Sequence, residues 1–192
     1  MDLNAFFKAE FAEHNDVARK TEAALQDAFA KLVSACVTSI KGGGKIMFFG
    51  NGGSAGDAQH LATELTIRYK TDRVAIAAIA LTTDTSAITA AGNDLGFDKV
   101  FSRQIEALGK PGDVAIAIST SGKSPNVTAA LKQAKAMKLV TAALSGKGGG
   151  DLKGLAEHLL VVPSGTTARI QEMHILLGQM LCGALEIELG LA

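Results

Sequence analysis

The chain is poor in everything that makes a dense aromatic core, a disulfide scaffold or a polyanion-binding surface. Aromatic side chains are only 5% of its 192 residues, with one tyrosine and no tryptophan. Set beside 47% hydrophobic residues and 21 glycines, that scarcity points to an α/β core of aliphatic side chains joined by many tight turns. Cysteine is as rare. Cys36 and Cys182 both fall in apolar helical patterns and read as small core residues in a reducing compartment, not as a disulfide or a zinc knuckle. Basic and acidic residues balance, 19 against 19, so nothing argues for a nucleic-acid partner. The amino terminus, Met1-Asp2-Leu3-Asn4-Ala5-Phe6-Phe7-Lys8, brings an acid at once and no long apolar run. Neither a signal peptide nor a membrane span is expected, and the chain is read as cytoplasmic with no membrane partner. At this length residues 1–192 make one well-buried domain more readily than two.

What the chain does have is alternation. Residues 2–41 show helical spacing and read as two helices forming an amino-terminal arm, stopped by Gly42-Gly43-Gly44. Lys45-Ile46-Met47-Phe48-Phe49 is an apolar run short enough for a buried strand, and a helix-compatible stretch follows its glycine turn. The run 74–81 lacks polar alternation and reads as a strand covered on both faces. Helices are expected near 85–91 and 97–108, strands near 114–118, 139–144 and 158–162, and a long helix over 166–189. Strands alternating with helices imply right-handed crossovers: a three-layer α/β/α sandwich, doubly wound around a five-stranded parallel sheet. In such a sheet ligands bind beyond the carboxyl ends of the strands.

Two polar turns fall at such ends. In Gly50-Asn51-Gly52-Gly53-Ser54 the glycines let the backbone approach a ligand, Ser54 suits the N-cap, and the following helix points free N–H groups at the turn. Gly50-x-Gly52-x-x-Ala55 fits a relaxed dinucleotide fingerprint, but no acid stands about twenty residues on, at the end of the next strand. The second turn, Ser119-Thr120-Ser121-Gly122-Lys123-Ser124, would need glycine at 117 to be a nucleotide P-loop, and Ala117 stands there. Its four hydroxyls in six residues, followed by Pro125 at a helix start, suit a phosphomonoester held without a fixed cation. Capping and turn chemistry alone accounts for one or two of them. His60 and Glu64 share a helix face at i and i+4, which fits acid–base chemistry, a metal, or an ordinary surface pair. Asp57 reads as a helix cap, and His14 and His158 as structural.

Taken together, these residues resemble the sugar-isomerase (SIS) domain family. The strings that carry the likeness are Gly50-Asn51-Gly52-Gly53-Ser54-Ala55, Ala58-Gln59-His60, Glu64-Leu65-Thr66, Gly92-Asn93-Asp94-Leu95-Gly96-Phe97, Phe101-Ser102-Arg103-Gln104, the stretch from Ile118 to Asn126, and Ala168-Arg169-Ile170-Gln171-Glu172-Met173-His174. Within the family the likeness is to its phosphoheptose isomerase branch. It implies a cytoplasmic homotetramer whose sites are built from more than one subunit. The reaction it implies converts D-sedoheptulose 7-phosphate to D-glycero-D-manno-heptose 7-phosphate, on the way to the activated heptose of bacterial lipopolysaccharide. The resemblance puts substrate contacts on Asn51, Gly52, Gly53, Ser54, Glu64, Asn93, Asp94, Ser119, Thr120, Ser121, Ser124 and Gln171. It puts zinc ligands on His60, Glu64, Gln171 and position 179, where the family has a histidine that also serves acid–base chemistry and this chain has Gln179.

Aldose–ketose isomerisation moves one proton between neighbouring carbons through a cis-enediol and another between their oxygens. Glu64 is the expected carbon base. A glutamine amide does not titrate near neutrality and is a poorer zinc ligand than imidazole, so Gln179 implies weakened or absent zinc and reduced turnover. Within the resembled family a replication-initiator-associating member acts as a binding platform without isomerising, and the loss of the histidine moves this chain towards it. Retention of Glu64 and of the Gly52-Gly53 pair points back to the isomerase.

Overall fold

The computed structural model of the protein describes residues 2–192. Its amino-terminal helix α1 (Leu3–Lys41) is followed by β1 (Ile46–Gly50), α2 (Gly53–Thr66), β2 (Ala78–Ala80), α3 (Thr85–Asp94) and α4 (Ser102–Leu108). Then come β3 (Val114–Ser119), α5 (Pro125–Ala136), β4 (Val140–Ser145), β5 (His158–Val161) and α6 (Thr167–Glu188), with a 3-10 turn at Phe97–Lys99 and a kinked 3-10 segment at Lys147–Leu152. All strand pairings are parallel, in the order β2-β1-β3-β4-β5. That is the doubly wound order whose direction reverses between β1 and β3, opening a crevice at their carboxyl ends.

The apolar strands read as runs because both faces of the sheet are covered. Ile46, Phe48, Ile116 and Ile118 point to one side, where Leu32 and Cys36 of α1, Leu61 and Leu65 of α2, and Met173 and Leu185 of α6 meet them. Met47, Phe49, Ala115 and Ala117 point to the other, onto Ile105 of α4 and Val127 and Leu131 of α5. The two cysteines are free and fully buried on the first side. Burial pushes both thiols up to about 12, so neither is a nucleophile near neutrality.

Three expectations change. Residues 2–41 form one helix, not two: between Leu3 and Lys41 there is neither glycine nor proline to break it, and it runs 39 residues, roughly 58 Å. The Asp2 carboxylate caps it by accepting from the N–H of Asn4 and Ala5. By length and composition α1 is apolar enough to cross a membrane, with a mean hydropathy of 1.2 in its most apolar stretch. Core helices of water-soluble proteins meet the same criterion, and here Leu25, Leu32, Val33 and Cys36 pack into the domain. The second change concerns 74–81. Only Ala78–Ala80 forms a strand, and it lies at the sheet edge with Val74 and Ile79 exposed. Small alanines make a continuous apolar string there without requiring cover on both faces. The segment 97–108 also splits, into the 3-10 turn and the short α4.

Candidate active site

The first polar turn leaves β1 and enters α2 through Gly52, whose φ of 56° is the left-handed region glycine takes at no steric cost. Gly52, not Ser54, is the N-cap; Ser54 lies inside the first turn and is buried. Asp57 is deeper still and caps nothing. Partial burial raises its carboxyl from its ordinary value, with His60 pulling the other way. Gly53 is small for a reason on another helix. A β-carbon there would stand 2.7 Å from Nε2 of Gln171 on α6, so the absence of a side chain lets that amide reach the start of α2.

About two turns on, α2 presents His60 and, one turn later, Glu64. Their Nε2 and Oε1 atoms lie 2.9 Å apart, and the carboxylate is only 20% exposed. Gln179 of α6 approaches the same imidazole nitrogen at 3.1 Å through its amide. A single Nε2 cannot donate to the carboxylate and also accept an amide hydrogen. With His60 Nε2–H donating to Glu64, the Gln179 amide, turned oxygen-first, only shares that one hydrogen in a weaker three-centre contact.

The second turn leaves β3 beside β1. Ser119 accepts from the N–H of Gly122, and Ser121 from the N–H of Lys123. Ser124 is the N-cap of α5 by backbone position, yet its hydroxyl makes no capping bond. With Pro125 at the first helical position, that hydroxyl is left for a ligand at the positive end of the helix. Gly122 has a φ of 64° because its backbone lies directly against Gly149, and Asp151 N–H donates to the Gly122 carbonyl. The glycine-rich loop after β4 thus backs the hydroxyl turn.

The two turns are joined. Asn51 Nδ2 donates to Asn126 Oδ1 at 2.9 Å, and Asn126 Nδ2 donates back to Asn51 Oδ1 at 2.8 Å. Glycine turn and hydroxyl turn are therefore clasped together at the β1/β3 reversal, with Gln171 against the start of α2, while His60, Glu64 and Gln179 meet further along the same two helices, α2 and α6. Asn93 and Asp94 are placed differently. They sit exposed at the end of α3, where Asn93 Nδ2 donates to Asp94 Oδ1, and no hydrogen bond among the described residues ties their side chains to the crevice.

Several supporting residues escaped sequence reading. His174 is wholly buried, and its Nε2 donates to the Ser145 carbonyl at 3.1 Å while Nδ1 has no partner. Ser145 Oγ in turn donates to the Ser119 carbonyl at 3.1 Å, which ties α6 to the hydroxyl turn. Burial holds the His174 imidazole down at about 4. His14, read as structural, has a partner in another helix: its Nδ1 lies 2.7 Å from Glu172 Oε2, and Arg169 beside it binds Glu172 and Glu10. Gly178 lets α6 touch α2, since a β-carbon there would enter the side chain of Leu61.

The SIS domain family matches residues 11–146 of this chain. A phosphoheptose isomerase from Paramagnetospirillum magneticum is 58% identical over 186 residues, covering 97% of each chain. One from Campylobacter jejuni is 57% identical over 173 residues, 90% of this chain and 92% of its own. The chain belongs to the SIS domain family. Two solved structures make the same point in three dimensions. A phosphoheptose isomerase from Neisseria gonorrhoeae superposes with a TM-score of 0.90 at 44% identity, and one from Francisella tularensis with 0.93 at 35%. Each comparison covers 96% of this SIS-domain chain and 98% of the other.

The zinc that the family resemblance implies has to be weighed against the donors present. His60 and Glu64 are good ligands, but the other two positions offer neutral amides, Gln171 and Gln179. No group of three or more His, Cys, Asp or Glu that could hold a metal is found among the described residues. Two strong donors fall short of the three nitrogen, sulfur or carboxylate ligands that a catalytic zinc site normally takes from the protein, so the donor set fits zinc poorly.

Proposed function

We propose that this SIS-domain protein is an aldose–ketose isomerase converting D-sedoheptulose 7-phosphate to D-glycero-D-manno-heptose 7-phosphate, a precursor of the heptose of bacterial lipopolysaccharide. Two observations support the reading: an asparagine clasp that joins the glycine turn to a hydroxyl turn suited to a phosphomonoester, and, on the helix leaving that glycine turn, a carboxylate only 20% exposed beside an imidazole. Ser119, Thr120, Ser121 and Ser124 take the phosphate. Asn51, Gly52, Gly53, Ser54 and Gln171 line the path towards the sugar carbons, and Asn93 and Asp94, which lie apart within one chain, complete the contacts from a neighbouring subunit.

Glu64 takes a proton from C1 of the open-chain ketose, giving a cis-enediol, and returns it to C2, which becomes the carbinol carbon of the aldose. A second proton passes between the two oxygens. Among the groups beside Glu64, His60 is an imidazole able to hold or pass a proton at a ring nitrogen, while Gln179 is an amide and is not. The family resemblance puts a histidine at that position, so turnover here is reduced. A general acid–base group typically supplies about 10² to 10⁴ in rate.

The enzyme works in the cytoplasm as a homotetramer. Leu3, Phe6, Phe7 and Phe11 on α1 are 54–69% exposed, and an apolar groove of about 990 Å³ runs between α1 and α6 past Leu25, Phe29 and Met180. Such surface suits burial against further copies of the chain. The test is a coupled heptose-phosphate assay. Glu64→Gln should lose about a hundredfold or more in kcat while still binding the sugar phosphate; unchanged turnover would remove Glu64 from the chemistry. The amide at 179 also favours a second reading, a non-catalytic platform for a replication initiator. Initiator capture together with no turnover in Gln179→His would select it.

A further inference from the structure

Helix α6 lies along α2 and touches it at a series of positions on one face. Gln171 reaches Gly53, Gly178 packs on Leu61, Gln179 meets His60, Cys182 Sγ points at the Leu61 carbonyl at 3.9 Å, and Gly183 stacks near the Tyr69 ring. The series ends in an ion pair, Arg73 Nε to Glu186 Oε1 at 3.0 Å, with both side chains 2% exposed. The guanidinium does more than neutralise Glu186. Its NH2 donates to the carbonyl of Glu64 at 2.9 Å, and its NH1 to the carbonyl of Leu65 at 2.7 Å.

Those two carbonyls belong to the last turn of α2, where a helix leaves its acceptors unpaired. Ile67 N–H serves Thr63, and Ile76 N–H also serves Leu65; for Glu64 the donor is Arg73. Glu186 for its part sits at the carboxyl end of α6, where a carboxylate opposes the helix dipole. It is held there by Arg73 and by the N–H groups of Tyr69 and Lys70 at 3.2 and 3.4 Å. A buried ion pair is seldom the most stabilising solution for its volume, and fixing register is its best-attested use.

We propose that Arg73 and Glu186 are positioning residues: they set the register of α2 against α6, and thereby the geometry in which Glu64, His60 and Gln179 meet. Neither touches substrate. This rests on the reading of Glu64 as the carbon base, and the experiment separates the two. Arg73→Lys keeps the charge but cannot reach Glu186 and both carbonyls together, and the double variant Arg73→Met/Glu186→Leu replaces the pair by apolar groups that preserve burial. In both, kcat should fall about tenfold or more, since small misplacements of reacting groups are costly, with KM changed less than about threefold. The imidazole nitrogen signal of His60, assigned with His60→Gln in isotope-labelled protein, should move, while those of His14 and His158 should not. An unchanged kcat with an unmoved His60 signal in folded protein would overturn the proposal, and so would a KM rise that accounts for the whole loss. Should Glu64→Gln turn over normally, the base assignment falls, and the His60 signal alone decides whether the pair sets the register.

Discussion

Acidifying the protein should unload a defined amount of stability through His174. Its imidazole is wholly enclosed, with one nitrogen on the Ser145 carbonyl and the other unpartnered, and burial lowers it from the ordinary 6.5 to about 4. Above pH 6.5 the ring is neutral in folded and unfolded chains alike, and its contribution does not vary with pH. Between 6.5 and about 4 the unfolded chain takes up the proton and the folded one does not, so stability drops as pH falls. Once both states are protonated the dependence ends. At about 1.4 kcal/mol per pH unit, the interval amounts to about 3 kcal/mol, a large part of a typical domain's margin. Urea unfolding at fixed protein concentration, from about pH 7 to about pH 4.5, measures it. In His174→Gln, which keeps an N–H donor and cannot ionise, the slope of stability against pH should be shallower by about one proton across that window. Parallel loss in parent and variant would show that the buried ring is not the group responsible.

Three further changes test the crevice. Gly178→Ala drives a β-carbon into Leu61, itself fully buried; it should cost about 1–3 kcal/mol by denaturation and lower turnover by parting Gln179 from His60. Gly122→Ala combines a left-handed backbone with collision against the Gly149 backbone, and calorimetric titration with inorganic phosphate should show weakened binding. Gln179→His should raise kcat by about 10² to 10⁴ in the coupled assay, and equal rates in the two proteins would refute the role given to that position.

How much of this was legible in the sequence varies with the range of the interaction. The strands were visible because Ile46-Met47-Phe48-Phe49 and 114–118 are buried on both faces, and the turns because glycine and serine clusters punctuate them. The pairing of His60 with Glu64 follows from helical spacing alone. The edge position of β2 was not visible, since an apolar run reports what a strand tolerates and not how many neighbours it has. The continuity of α1 was underestimated where no breaker residue interrupts it. Ser54 lost the cap to Gly52 because backbone conformation, not hydroxyl chemistry, decides where α2 begins. Contacts such as His14 with Glu172, His174 with Ser145 or Arg73 with Glu186 join residues 158, 29 and 113 positions apart, and no local pattern announces them.

The paired amides of Asn51 and Asn126 bear on how a ligand is received. Because each side chain is both giver and receiver for the other, the loops after the first and third strands are clasped before anything arrives. A sugar phosphate meets a ready-made cradle, and little of its grip is spent on tidying mobile chain. Loosening that clasp would turn a rigid host into one that has to be organised by its guest, and slower capture would be the first sign.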